Sequence, residues 1–460
     1  MKIQTKTSKK TPLRLTHCAA LLAFVAGLFS AGLAPVFAQA EAVEAPSKKA
    51  DKSTEKSTEK ASSDTNAVGP VKIWISSQQD KEYYDQMVKT YRETVDVDFN
   101  AVVSAYGFME LPDKLGVSLR TGEGIPDIVQ LDEAFFGSFL ADPPFVDLTS
   151  RMKAAKLDKR LLKARADLFS WKGKHYGIPQ SLSAMVLYYR KDLFEKFDLK
   201  PEQFKTWSDV EDIGFRLAQD EGIAFMSMDA TYFEILLRQR GSDFFGKDGK
   251  AFPDMDTAVA TLSWLVDVTK DGIAVQPERG SVFDPLFFSS QVANDDLLCI
   301  MGADWYGLDL LPQFCPELEG KWGIMPLPVW EKGGKRTSCF AGQGLMIVKD
   351  TPQIDASWKF LEWVMSDTEA NVKRYQMGNS FPAYKPVWKD PRLKEPTDYF
   401  GDVSMGKVLL DIAKEIPTVA MHPKRPQAMF MFQENYFATA IHEVRTPEEV
   451  LKDLKKTLDE

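Results

Sequence analysis

Short apolar segments, each followed by polar residues and a helical run, recur along the chain from about residue 70 onward. Residues 71–75 form the first such segment, and helical spacing of apolar side chains follows over residues 80–94. Val95, Val97 and Phe99 then alternate with polar residues, which predicts a second strand there. Strand, helix and strand in this order indicate an α/β sheet with crossover connections.

The same order resumes after residue 182, beginning with an apolar strand over 185–189. Ser208 and Glu211 have the spacing of a capping box and predict the start of a helix, as do Thr446 and Glu449 near the end of the chain. A chain of 460 residues is too long for one compact core, so two α/β units are expected. Ligands of such sheets bind at the carboxyl ends of the strands, here in a cleft between the units.

The first 40 residues have the order of a signal peptide. Five basic side chains precede an apolar stretch over 19–33, and small residues around Ala38 and Ala40 suit cleavage. The apolar stretch is short for a membrane span. Cys18 precedes it instead of following it, so attachment of a lipid is not expected. Residues 41–69 are rich in Ser, Lys and Glu, lack aromatic residues and are expected to form a disordered linker.

Charge argues against a nucleic-acid partner. The full chain carries a net charge of −9, and the predicted signal peptide contributes only positive charge, so the mature protein is still more acidic. An acidic surface repels nucleic acid and anionic lipid.

Three cysteines remain in the mature chain: Cys299, Cys315 and Cys339. An odd number excludes a fully paired disulfide framework. Cys299 and Cys315 could form a disulfide in an oxidising compartment, or Cys299 could be a small buried apolar residue.

The sequence contains none of the usual catalytic fingerprints. It lacks a Gly-x-Ser-x-Gly elbow, a Walker phosphate loop and a Gly-x-Gly-x-x-Gly motif. Its histidines and cysteines show no metal-ligand spacing. No cofactor or metal is therefore expected, although a glycosidase pair of carboxylates stays open because its separation is a spatial property.

A series of motifs resembles the extracellular solute-binding proteins of ABC sugar importers, the group that includes maltose-binding protein. The ordered matches lie at residues 126–132, 176–179 (Tyr-Gly-Ile-Pro), 188–195, 205–210, 301–305, 320–328, 341–348, 358–363 and 378–382. Together they span residues 70–460. The stretch 320–348 is most similar to binders of lactose or of arabinose-containing oligosaccharides.

This resemblance implies a two-lobed periplasmic-binding-protein fold with discontinuous lobes. The N-terminal lobe would comprise residues 70–182 plus 344–399, and the C-terminal lobe residues 183–343 plus 400–460. Three crossings would form a hinge that lets the lobes close on a ligand.

Candidate ligand-binding residues lie at strand ends or at the crossings. Trp305 and Tyr306 could stack on a sugar or could be core residues. Asp132 and Glu133 could accept hydrogen bonds from sugar hydroxyls, cap the helix that follows, or do both. Phe432, with Phe430 beside it, could supply a second ring or pack in the core. The remaining candidates are polar residues or glycine at turns and crossings: Ser76, Ser77, Gln78, Gln180, Ser181, Gly342 and Gln343.

The predicted function is reversible capture of a mono- or oligosaccharide, without catalysis, and its delivery to the membrane permease subunits of an ABC importer. The expected form is a monomeric, non-lipidated protein of the periplasm. Two alternatives are a binder of another polar solute, such as a sugar phosphate, and a secreted glycoside hydrolase.

Overall fold

The computed structural model describes residues 69–278 and 280–460. The predicted signal peptide and most of the predicted linker lie outside the described residues. The strands are β1 (Val71–Ile75), β2 (Ala101–Ala105), β3 (Ile128–Asp132), β4 (Ser170–Trp171), β5 (Lys174–His175), β6 (Gly177–Pro179), β7 (Met185–Arg190), β8 (Ala224–Ser227), β9 (Ala274–Val275), β10 (Leu297–Ala303), β11 (Trp322–Pro326) and β12 (Gln343–Ile347).

Helices surround the strands and bury their apolar faces against them. They are α1 (Gln78–Thr94), α2 (Glu110–Thr121), α3 (Glu133–Phe136), α4 (Thr149–Ala154), α5 (Leu157–Arg160), α6 (Lys163–Ala166), α7 (Lys191–Lys196), α8 (Trp207–Asp220), α9 (Thr231–Gln239), α10 (Met255–Lys270), α11 (Pro285–Phe287), α12 (Leu311–Phe314), α13 (Ile354–Ser366), α14 (Thr368–Gln376), α15 (Met405–Ile412), α16 (Arg425–Met431), α17 (Phe437–Ile441) and α18 (Pro447–Asp459).

Two five-stranded sheets organise the two lobes. The first has the order β2-β1-β3-β12-β6, in which β1 runs parallel to β2 and β3 while β12 runs antiparallel to both its neighbours. The second has the order β11-β7-β10-β8-β9. The α/β prediction is therefore confirmed, with one five-stranded sheet in each lobe, while β4 and β5 pair as a separate two-stranded sheet.

The chain passes between the sheets three times. It leaves the first sheet after β6 and enters the second at β7, and it returns between β11 and β12. After α14, which packs near α1, it reaches the second sheet again at α15 beside β11. The residue numbers predicted for the lobe boundaries stay a prediction.

Arg165 ties two of these crossings together. Its guanidinium is buried and donates to the carbonyl oxygens of Ser181, at 3.2 Å, and of Ala341, at 2.8 Å. Gly342 follows Ala341 with a φ of +114°, and a Cβ there would lie 1.9 Å from Arg165 Nη2. Glycine is thus required at position 342, because both the positive φ and the close approach of Arg165 exclude a side chain.

Two local predictions were wrong. Residues 95–99 are not a strand, because the N–H groups of Val95 and Asp96 both donate to Tyr91 O and end α1 in a turn. Val97 is consequently 74% exposed, and the strand begins at Ala101. The predicted capping box is also displaced by two residues: Thr206 and Asp209 form it, since the Thr206 hydroxyl accepts from Asp209 N.

The three cysteines of the described chain are buried free thiols. Cys299 and Cys315 are therefore not joined by a disulfide, and Cys299 is the small buried residue of β10. Within residues 69–278 and 280–460, no helix combines the length and the apolar character needed to cross a bilayer.

Candidate ligand-binding cleft

A cavity of about 540 Å³ lies between the two sheets, where strand ends and crossings meet. This volume falls within the range of roughly 300–1,000 Å³ that is usual for small-molecule sites. Polar side chains at the strand ends of the first sheet and several aromatic side chains line it. Among the described residues, no group of three or more His, Cys, Asp or Glu is placed to hold a metal ion.

The polar floor is a hydrogen-bonded set of four side chains: Ser76, Gln180 and Gln343 line the cavity, and the buried Gln130 joins them without lining it. Ser76 follows β1, Gln130 lies in β3, Gln180 follows β6 and Gln343 begins β12. Gln130 is a fully buried polar residue within an otherwise apolar strand, and the bonds to its neighbours compensate the desolvation of its amide. The floor is therefore built from four neighbouring strands of one sheet.

Asp132 lies beside the floor and caps α3, as the capping alternative predicted. Its carboxylate accepts from Ala134 N at 2.9 Å and from Gly342 N at 3.0 Å. Burial, followed by the charge of Glu133, raises the pKa of Asp132 to about 7. Asp309, which also lines the cavity, has its pKa raised to about 6 by burial and by Asp80. Both groups therefore titrate near neutral pH.

Glu133 connects the two lobes. Its Oε1 accepts from Arg238 Nη1 at 2.8 Å, and Arg238 belongs to α9 of the second lobe. Both side chains are 1% exposed, and Arg238 also pairs with Glu234 and Asp243. Glu133 Oε2 has no hydrogen-bond partner within the described chain. Glu133, which was predicted to bind the ligand, thus also forms a structural contact between the lobes.

The aromatic wall comprises Phe283, Trp305 and Phe340. The rings of Phe283 and Phe340 are stacked, with centroids 6.1 Å apart and an interplanar angle of 12°. The indole of Trp305 lies 5.9 Å from Phe283. Its Nε1 is buried and has no hydrogen-bond partner among the described residues. The wall offers flat apolar area of the kind that stacks on a sugar ring.

Most of the predicted site residues line this cavity. They are Ser76, Ser77, Asp132, Glu133, Gln180, Ser181, Trp305, Gly342 and Gln343. Their position in the cleft is a finding, and their contact with a ligand stays a prediction.

Three predicted residues do not line the cavity. Gln78 is exposed at the start of α1, and the neighbouring Gln79 lines the cavity instead, because successive helical residues point in different directions. Tyr306 is fully buried, and its hydroxyl donates to Val282 O at 2.6 Å. Phe432 is also buried, stacked on Phe233 with centroids 4.5 Å apart.

Phe430, which the sequence offered with Phe432 as a possible second ring, lines the cavity and is 64% exposed, whereas Phe432 is buried. Several other cavity residues were not predicted from the sequence. Phe283 and Phe340 lie in irregular segments, where no periodicity marks their direction. The other missed residues include Asp80, Phe108, Met109, Phe135, Asp309, Asn379 and Met429.

Two lobes joined by three crossings, with a cavity between them, define a solute-binding protein of the clamp type. The family model described as bacterial extracellular solute-binding protein matches residues 75–371. The chain belongs to this family, which confirms the resemblance.

Two relatives cover most of the chain. The arabinooligosaccharide-binding protein of Bacillus subtilis (strain 168) is 29% identical over 391 residues, which is 82% of this chain and 89% of that protein. The arabinooligosaccharide-binding protein of Halalkalibacterium halodurans is 27% identical over 396 residues, with 84% and 88% coverage.

Solved structures show the same fold. An ABC substrate-binding protein of Listeria monocytogenes, in complex with cycloalternan, superposes with a TM-score of 0.70 at 21% identity and covers 85% of this chain and 98% of its own. A maltose-bound protein of T. maritima gives a TM-score of 0.67 at 22% identity, with 84% and 99% coverage. These similarities confirm the two-lobed architecture.

Proposed function

We propose that this protein is the substrate-binding component of an ABC importer and captures an oligosaccharide between its lobes. The observation that carries the proposal is that the aromatic wall and the polar floor line one cavity. A sugar ring has a flat apolar face and a rim of hydroxyls, and these two groups of lining side chains are complementary to the two surfaces. The relatives named as arabinooligosaccharide-binding proteins support an arabinose-containing oligosaccharide as the first candidate.

The charge of the lining favours a neutral ligand. Asp80, Asp132, Glu133 and Asp309 line the cavity, and none of the described lining residues is Lys, Arg or His. A phosphate or carboxylate would meet like charge with no described cation to compensate it. The alternative of a sugar phosphate is therefore disfavoured.

The partners of the two central carboxylates favour binding over hydrolysis. Asp132 accepts from two backbone N–H groups and Glu133 from Arg238. A glycosidase needs one free acid and one free base or nucleophile on either side of the scissile bond. Here both oxygens of Asp132 and one oxygen of Glu133 have structural partners, which supports binding over hydrolysis by this pair.

The remaining expectations follow from this function. The protein is proposed to be exported to the periplasm without a lipid, to act as a monomer and to deliver its sugar to permease subunits. The lobe boundaries are proposed as predicted from the sequence, and closure of the lobes on the sugar accompanies binding.

A thermal-shift screen tests the ligand. Linear arabinotriose, lactose and maltotriose are each added at millimolar concentration, with glucose 6-phosphate as the anionic comparison. A ligand at 100 times its Kd adds about 2.7 kcal/mol of stability, so a bound oligosaccharide raises Tm clearly. Stabilisation by glucose 6-phosphate alone would refute a neutral-sugar site, and steady release of monosaccharide from any oligosaccharide would refute the binder.

A further inference from the structure

The polar floor is a closed ring of hydrogen bonds that all run in one direction. Ser76 Oγ donates to Gln130 Oε1 at 2.9 Å, and Gln130 Nε2 donates to Gln180 Oε1 at 3.2 Å. Gln180 Nε2 donates to Gln343 Oε1 at 3.1 Å, and Gln343 Nε2 donates to Ser76 Oγ at 2.5 Å. Reversal of any one amide would place two donors or two acceptors face to face, so the four side chains turn together or not at all.

Contacts on Gln130 select one of the two directions. The backbone N–H of Ser76 donates to Gln130 Oε1 at 2.8 Å, and Asp80 Oδ2 accepts from Gln130 Nε2 at 3.0 Å. A backbone N–H is only a donor and a carboxylate is only an acceptor. The oxygen and nitrogen of this amide are therefore assigned by groups whose own polarity cannot change.

A second anchor acts on Gln180 from behind the cavity. Arg374 Nη2 donates to Tyr84 Oη at 3.0 Å, and Tyr84 Oη donates to Gln180 Oε1 at 2.9 Å. An arginine has no acceptor, so the tyrosine hydroxyl must direct its own proton to Gln180. Burial raises the pKa of Tyr84, which keeps that proton on the hydroxyl.

The direction of the ring decides what the cavity offers to a ligand. Gln343 and Asp132 are direct partners across β12 and β3, so their side chains lie on the same face of the sheet. In the observed direction Gln343 gives one N–H to Ser76, and its second N–H has no partner among the described residues. A donor and the carboxylate acceptor of Asp132 thus lie side by side, an arrangement that suits a hydroxyl which accepts from one and donates to the other.

We propose that Arg374 is a positioning residue for ligand recognition: through Tyr84 it holds Gln180, and with it the ring, in the direction that the contacts on Gln130 also select, and so presents the Gln343 N–H beside Asp132. Arg374 does not line the cavity. It is fully buried in α14, and its guanidinium carbon lies 4.2 Å from the ring centroid of Tyr83 and 5.3 Å from that of Tyr84. The inference rests on the proposed function, since it concerns recognition of a sugar hydroxyl.

Tyr83 and Tyr84 provide a matched pair of variants. Both tyrosines are fully buried in α1 and both lie near Arg374. The Tyr83 hydroxyl donates to Ala370 O at 3.0 Å and has no part in the ring. Tyr83→Phe and Tyr84→Phe each remove one buried hydroxyl, so comparable losses of stability are expected, whereas Arg374→Met removes a buried charge and is prone to misfolding.

The test measures affinity and the glutamine side chains in the same variants. Calorimetric titration with linear arabinotriose, lactose and maltotriose should show Tyr84→Phe binding about tenfold more weakly than wild type, on the scale of one buried hydrogen bond. Tyr83→Phe should bind within twofold of wild type. In protein labelled with ¹⁵N only at glutamine, Tyr84→Phe should shift the side-chain NH₂ signals of Gln180 and Gln343, while Tyr83→Phe leaves them in place.

The outcomes separate the inference from the function on which it rests. Equal loss of affinity in both variants, or unchanged glutamine signals in Tyr84→Phe, would overturn the role of Arg374. If wild type binds none of the three sugars, the proposed function fails, and the glutamine signals still decide whether Tyr84 holds Gln180 and Gln343 in their positions in the ring.

Discussion

The polar floor and the aromatic wall face the same cavity but are built in opposite ways. The floor is a ring of mutually bonded side chains on adjacent strands, in which each group is held by its neighbours. The wall is a set of rings from separate segments in contact only through their faces and edges. This difference predicts that the floor sets the orientation and selectivity of binding, whereas the wall supplies apolar area and hence most of the affinity.

The largest expected effect on affinity lies at the wall. Trp305→Ala removes the indole that faces the cavity and should cost about 2–4 kcal/mol of binding, roughly a thirtyfold to thousandfold rise in Kd. Calorimetric titration with the oligosaccharide that binds wild type measures this loss. Trp358→Ala is the control, since Trp358 is buried in α13 away from the cavity. It should lower the free energy of unfolding strongly and leave the affinity of the folded fraction unchanged; the reverse pattern would contradict the assignment of the wall.

The next largest effect is expected on folding stability, from the ion pair that joins the two lobes. Glu133→Gln keeps the shape of the side chain but removes one of the negative charges that surround Arg238, and should cost about 1–3 kcal/mol of stability. Urea unfolding measures it. Glu369→Gln is the matched control, because Glu369 also pairs with an arginine, Arg392, but is 73% exposed. Exposed pairs contribute about 0–1 kcal/mol, so an equal loss in both variants would show that burial of the Glu133 pair adds nothing.

The pH dependence of ligand affinity should distinguish Asp132, beside the polar floor, from the aromatic wall. A sugar hydroxyl that donates to Asp132 requires the carboxylate, and the pKa of this group is about 7. Affinity should therefore rise about tenfold between pH 6 and pH 8 if only the ionised form binds. Asp132→Asn should flatten this profile, whereas Trp305→Ala should lower affinity at every pH and keep its slope. A slope that survives in Asp132→Asn would place the titrating group elsewhere.

The Asp132 carboxyl should also make folding stability depend on pH, in the direction opposite to that of ligand affinity. Its pKa in the folded state is higher than its ordinary value of 3.8, so protonation favours the folded protein. Its contribution to stability is complete below about pH 4 and is lost as the pH rises through about 7. The difference between wild type and Asp132→Asn in thermal unfolding from pH 4 to pH 8 isolates this contribution from those of Asp304 and Asp309, which shift in the same direction.

The smallest expected effect on affinity is that of Phe430, at the rim of the cavity. Phe430→Ala removes an exposed ring and should weaken binding by only about twofold to threefold, as is usual for peripheral contacts. The loss should be larger for a longer oligosaccharide than for a disaccharide, because only the longer ligand reaches the rim. Phe432→Ala is the neighbouring control: it should change stability and leave affinity unchanged, and a change in affinity there would contradict its place in the core.

The amino-acid sequence was enough to predict the main elements and their order. Apolar periodicity located α1 and the last helix, and polar residues after strands located Ser76 and Asp132 at the expected cleft, because strand ends of an α/β sheet face a common edge. Gln180 was a candidate through the family resemblance, which implies a crossing at the cleft there. The two errors, the strand over 95–99 and the position of the capping box, are local. In both, hydrogen bonds at the end or start of a helix decided the boundary, and hydrophobic pattern does not report those bonds.

Which side chains meet across long distances along the chain depends on the tertiary structure. Tyr306 and Phe432 lie one and two positions after the cavity residues Trp305 and Phe430, and the helical turn of the backbone directs each of them into the core. The pair of Glu133 with Arg238 and the ring that joins Ser76, Gln130, Gln180 and Gln343 bring together residues far apart in sequence. Periodicity describes which face of an element is apolar. The direction of a hydrogen bond depends on partners that folding alone brings together.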